Sequence, residues 1–200
     1  SHPDAWYSRH GETGDILARI PLGDHAVKEY GAAYLTVHRG DFHELLVKAL
    51  PTEAVAFGKN LTRVEDRGHD VLMHFADGSS ESADIVIGAD GVNSRIREAL
   101  LGPEEPKYAG YLAHRAVFPT PVLERGMLPF DQCVKWWSDD RHMMVYFVTG
   151  KADEIYYVTG VPATHWDLKD RWLESSKDEM RETFRGWHPT VQALIENTVE

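Results

Sequence analysis

Cysteine is almost missing from this chain: Cys133 is the single one in 200 residues, so no disulfide can form within it, which fits a reducing compartment. No apolar run approaches the roughly 20 residues that span a bilayer. The opening "SHPDAWYSRHGETGD" has neither the basic nor the apolar region of a secretion signal. A cytoplasmic location with no membrane partner is the expectation. Basic blocks are missing too. Asp and Glu number 32 against 21 Lys and Arg, a formal charge of −11, and no stretch is rich enough in Lys or Arg to follow a phosphate backbone, which argues against nucleic acid. Eleven histidines are present, yet there is no HExxH, and His38 and His43 suit neither a helix face nor a zinc pattern. No metal site is expected, and there are no repeats or low-complexity segments.

What is present is globular: 42% hydrophobic residues suffice for a core in one domain or two small ones. Residues 1–33 read as loops with short strands, "DILARIP" being the best strand candidate. The run "AAYLTVHRGD" reads as extended, and Asp41 with Glu44 forms a capping box opening a helix through Leu50, stopped by Pro51. Phe42, Leu45, Leu46 and Ala49 share one face of it. Strands follow at "AVAFG", "LTRVED" and "DVLMHF", with Ala76-Asp77-Gly78 as a hairpin turn. After Gly102-Pro103 come the long alternating strands "YLAHRAVF", "CVKWWS", "HMMVYFVTG" and "EIYYVTGVP", which predict a broad antiparallel sheet. From about Leu173 to Val199 the spacing is helical, with Ser175 or Ser176 as a start signal and a break at Gly186 and Pro189.

The segment "ADIVIGADGVNSRIR", 83–97, concentrates chemistry. Ile85-Val86-Ile87 is apolar on both faces, as a strand buried in a parallel sheet would be. Gly88 and Gly91 permit close backbone approach, Asp90 can accept from a hydroxyl or hold the turn, and a helix with Arg95 and Arg97 follows. Such a unit suits the ribose and pyrophosphate of a dinucleotide; an Asp-Gly turn with solvated arginines is the plain alternative. In "HMMVYFVTG", parity puts Met143, Val145 and Phe147 on a core face and His142, Met144, Tyr146 and Val148 on the other. His142 and Tyr146 are then about 13 Å apart along the strand, room for an aromatic ligand. Cys133, Lys135 and Trp137 share a side, as do Tyr156 and Val158, with the register between strands left open.

The string 83–97, together with "HRGDFHELL" at 38–46, resembles the Asp-Gly and Arg-containing segments of the flavin-dependent aromatic monooxygenases of the para-hydroxybenzoate hydroxylase class. Through "KEYGAAYLTVHRGD" and "CVKWWSDDRHMMVYF" the likeness runs over essentially the whole chain and narrows to members acting on hydroxylated pyridine carboxylates. It implies a mixed α/β fold, part of a Rossmann-like FAD-binding domain (34–102) beside an antiparallel-sheet substrate domain (103–200, with 1–33 as a further segment). It also implies an enzyme using FAD, NADH and O2 to hydroxylate a small aromatic substrate with loss of CO2. The site residues it implies are Arg39, Leu61, Asp90 and Gly91 toward FAD, and Cys133, His142, Tyr146 and Tyr156 toward substrate. His142 would act as the base, helped by Tyr146 in a hydrogen-bonded relay, with Cys133 as a contact and not a nucleophile. The family's GxGxxG loop and its later Gly-Asp segment have no match here, "PLGDHAV" lacking a preceding buried strand. The expectation is therefore the middle of a longer enzyme that holds FAD weakly by itself. A salicylate-type hydroxylase and a non-catalytic binding module are the alternatives.

Overall fold

The computed structural model describes residues 1–120, 132–164 and 175–198. In chain order the elements are β1 (Ala5–His10), β2 (Ile16–Pro21), α1 (Gly23–Tyr30), α2 (Arg39–Lys48), β3 (Leu61–Asp66), β4 (Val71–Phe75), β5 (Ser80–Ala83) and α3 (Arg95–Leu101). They continue with β6 (Tyr111–Leu112), β7 (Arg115–Pro119), β8 (Gln132–Trp137), β9 (His142–Phe147), β10 (Glu154–Pro162), α4 (Lys177–Thr183) and α5 (Pro189–Glu196). The fold is mixed α/β with two sheets. Two compact units result, 1–44 with 109–200 and, between them in sequence, 45–108.

The larger unit is built on a sheet in the order β2-β1-β8-β9-β10-β6, with β7 also paired to β10. Strict alternation in β9 decides its packing: Met143, Val145 and Phe147 are buried while His142, Met144 and Tyr146 are half-buried. With Val134, Trp136, Ile155, Tyr157 and Phe118, the first set forms one apolar face, covered by Met180, Phe184, Val191, Leu194 and Ile195 of the C-terminal helices. Each such side chain contributes about 1.5–3 kcal/mol by leaving water. Ser176 caps α4, its hydroxyl accepting from the Glu179 N–H at 3.1 Å. Pro189 opens α5 behind an N-cap His188, whose Nδ1 accepts from the Thr190 N–H. The expected limits of this helical region, Leu173 and Val199, lie outside the described residues.

The strands after Gly102 form the expected antiparallel sheet, and the structure adds features that the sequence reading did not name. The sheet is antiparallel except at β1 and β8, which run parallel in the register Ala5↔Gln132 to His10↔Trp137. Strand β1 itself escaped the sequence reading because its polar and aromatic residues mask the alternation, and α1 did so because it is only eight residues long with one apolar residue buried, Ala26. The run 33–38 joins no ladder; Thr36 Oγ1 donates to the Phe147 carbonyl at 2.6 Å and the His38 N–H to that of Val148.

Helix α2 begins at Arg39, two residues before the expected cap. Asp41 lies in its first turn, 3.3 Å from His38 Nδ1. Its apolar residues Phe42, Leu45 and Leu46 remain about half exposed.

In the smaller unit β3, β4 and β5 form an antiparallel meander. The turn at 76–78 is held by Asp77, which accepts from the Ser79 N–H and from Lys59 Nζ. "AVAFG" is no strand: Thr52–Ala54 form a 3-10 turn and a loop follows. Nor do Ile85-Val86-Ile87 form the buried parallel strand. Residues 85–91 pair with no strand among the described residues, leaving Ile85 and Ile87 80% and 86% exposed. A strand apolar on both faces is buried only between two neighbouring strands and covering helices, and among the described residues no strand flanks 85–87.

Candidate active site on the sheet face opposite the helices

The register of the central strands assembles a second face, turned away from α4 and α5. The pairs Trp6↔Cys133 and Tyr146↔Tyr156 belong to one row, and extending the β8–β9 ladder by one step sets Cys133 opposite Tyr146. The next row is Ser8, Lys135, Met144, Val158 and Arg115. A third is His10, Trp137, His142 and Gly160. Parity had put Cys133, His142, Tyr146 and Tyr156 on their strands' faces; the ladder puts all four on one side of the sheet. Trp6, Tyr34 and Gly160 join them and were not singled out, because only cross-strand register and the pinned segment 34–38 bring them there.

The shifts on this face all favour the neutral form of the group. Burial pushes the Cys133 thiol up to about 12. Burial, with the neighbouring Tyr156, Cys133 and Tyr34, likewise raises the Tyr146 phenol to about 12, against a smaller pull from Arg115. Tyr34 is raised by burial and then by Cys133. The His142 imidazole is lowered below its ordinary 6.5, first by burial and then by the Lys135 ammonium. At neutral pH the face therefore carries a neutral imidazole that can accept a proton and phenols that can donate hydrogen bonds. Cys133 is wholly buried and its thiol stays protonated at neutral pH.

Among the described residues no hydrogen bond joins His142 to Tyr146, and Met144 lies between them on the same face. The Tyr146 ring meets Tyr156 instead, centroids 5.1 Å apart. His142 packs against Trp137 at 5.4 Å. Lys135 Nζ sits 3.9 Å from the Trp137 centroid, a cation–π contact.

In the smaller unit Asp90 is committed to its own chain. Its carboxylate accepts from Ser94 Oγ at 2.5 Å and from the N–H groups of Arg95 at 2.7 Å and Ile96 at 3.3 Å, which holds it below the usual carboxylate range. It ties the turn to the start of α3, whose N-cap is Ser94. Arg95 pairs with Glu98, and Arg97 Nη2 donates to the Val92 carbonyl. Gly88 is required by packing, since a Cβ there would lie 2.7 Å from Ile96 Cγ2. Gly91 has φ +81° and open space where a Cβ would be, so its backbone is accessible. Leu61 opens β3 opposite Phe75, next to an irregularity in the ladder. In the larger unit Arg39 is exposed at the start of α2 and makes no ion pair among the described residues.

No family model matches the chain. It is 80% identical over all 200 residues to the 6-hydroxynicotinate 3-monooxygenase of Pseudomonas fluorescens, covering 52% of that protein. It is 70% identical, again over its full length and 52% of the relative, to the enzyme of the same name from Bordetella bronchiseptica. Among solved structures it resembles Klebsiella pneumoniae HpxO complexed with FAD and uric acid at TM-score 0.80 and 25% identity, over 98% of this chain and 48% of the other. The chain spans about half the length of the curated relatives it matches. On this full-length likeness in sequence and fold, it belongs to the family of FAD-dependent aromatic monooxygenases.

Proposed function

We propose that this chain supplies the substrate-facing sheet of a monooxygenase that converts 6-hydroxynicotinate to 2,5-dihydroxypyridine and CO2, consuming NADH and O2 in the cytoplasm. The observation that carries this reading is the 80% identity to a 6-hydroxynicotinate 3-monooxygenase along the whole chain. Bound FAD, reduced by NADH, would supply the activation of O2 and the delivery of one oxygen atom to the ring. The exposed Arg39 guanidinium and the open backbone at Gly91 fit contacts to that cofactor, and the Leu61 backbone is a third candidate. Asp90 would serve it indirectly, by fixing the turn that presents Gly91.

The chemistry left to this chain is positional and protic. Hydroxylation at the ring carbon bearing the carboxylate requires electron density there, and removing the proton of the ring hydroxyl raises it. His142, neutral at physiological pH, is the base whose ring nitrogen takes that proton. Tyr146, protonated throughout the neutral range, donates a hydrogen bond to a substrate oxygen. Cys133 and Tyr156 complete the apolar wall and exclude water.

The test uses a protein of the relatives' full length that carries this stretch. Yellow material with flavin absorbance, NADH oxidation stimulated by 6-hydroxynicotinate, and 2,5-dihydroxypyridine as product are expected. Stimulation by salicylate alone would replace the substrate assignment, and a colourless protein without turnover would make the chain a binding module.

A further inference from the structure

Gly160 sits inside β10, a nine-residue strand paired on both sides. Glycine is a poor choice there, contributing no packing and losing the most entropy on ordering. Its backbone angle is not the cause, because Gly160 is not among the glycines with positive φ. The reason is space. A Cβ on Gly160 would lie 2.3 Å from His142 Cε1, 2.8 Å from Nε2 and 3.0 Å from Nδ1, so the imidazole occupies the place a side chain would take.

The ladder sets Trp137 and Gly160 opposite His142 from the two flanking strands. Trp137 contacts the imidazole ring-to-ring, and Lys135 Nζ lies over Trp137 in turn. Among the described residues neither ring nitrogen of His142 has a hydrogen-bond partner. The imidazole is thus held by shape on both sides and left with its nitrogens uncommitted.

We propose that Gly160 and Trp137 are positioning residues that fix the His142 imidazole for substrate, the glycine by leaving room for the ring and the indole by bracing it. This inference rests on the reading of His142 as the base. An alanine methyl at 160 displaces the ring from its place, and small displacements of a proton-transfer group are costly in rate.

A double-mutant cycle in a protein of the relatives' full length tests it, read as hydroxylated product per NADH consumed, with FAD content measured alongside. Gly160→Ala is expected to lower that ratio about ten-fold or more while FAD content holds. In a His142→Gln background it should add nothing, because it acts through a group already removed. Should Gly160→Ala not fold, Trp137→Leu is put through the same cycle, with Trp137→Phe expected to restore most of the ratio. Wild-type coupling in the single variants, or losses that multiply with His142→Gln, would overturn the inference. If His142→Gln itself leaves hydroxylation intact, it is the base assignment that falls.

Discussion

Tyr146 and Tyr156 face each other across β9 and β10, ring centroids 5.1 Å apart and planes at 48°. The contact places one phenol in the field of another and contributes, after burial, to holding the Tyr146 hydroxyl protonated up to about 12. Tyr146→Phe is therefore expected to weaken substrate binding, seen as a higher dissociation constant in a flavin-absorbance titration. It should leave the pH profile of turnover unshifted through the neutral range, since the lost group does not ionise there. A profile whose midpoint moves with this substitution would contradict the donor role.

His142 offers the opposite titration. Its folded pKa lies below the ordinary 6.5, so any step needing the unprotonated ring gains with rising pH through that lowered value and is level above 6.5. The linked contribution to stability has the same sign: fully present above 6.5 and lost as pH falls through the folded value, because the unfolded chain binds the proton more tightly. NMR titration of the His142 ring in wild type and Lys135→Met checks this. The substitution should raise the midpoint, though not fully to 6.5, since burial is the larger cause.

Cys133 should be inert in the folded state. Wholly buried and raised to about 12, it is expected to resist iodoacetamide at mildly alkaline pH and to react at once in denaturant. Rapid native-state labelling would mean that the wall around it opens.

Asp90→Ala separates a cap from a ligand. The loss of its bonds to the Arg95 and Ile96 amides predicts faster hydrogen exchange at those two positions, with the β3–β5 meander unchanged. Acidification should reproduce the effect in the unsubstituted chain, since protonation removes an acceptor whose pKa is lowered first by the Ser94 hydroxyl and then by the Ile96 and Arg95 amides.

Leu194 is fully buried beneath the sheet, and Leu194→Ala is expected to cost about 2–5 kcal/mol in the unfolding of the larger unit, measured by urea titration.

Features that depend on local period or capping were legible in the sequence. The alternation in β9 separated His142 and Tyr146 from Met143 and Val145, and Ser176 marked the start of α4. Features that depend on a distant partner were not. Ile85-Val86-Ile87 carries the composition of a central strand but pairs with no strand among the described residues. The clamp on His142 is invisible without register, because nothing local distinguishes Gly160 from a turn glycine. His142 and Tyr146 do not bond directly, because side chains four apart on a strand share a face but lie too far apart to bond without an intermediary.

Strand β1 lies between β2 and β8, with Ala5 alongside Gln132, so the sheet joins strands that flank the whole of 45–108 in sequence. Nascent chain emerging from a ribosome cannot complete this sheet until 45–108 and then β8 have followed, and the hairpin of β1 and β2 must wait without its ladder partner. Any truncated expression that begins after residue 44 would strip β8 of its neighbour and turn an interior strand into a bare, adhesive margin.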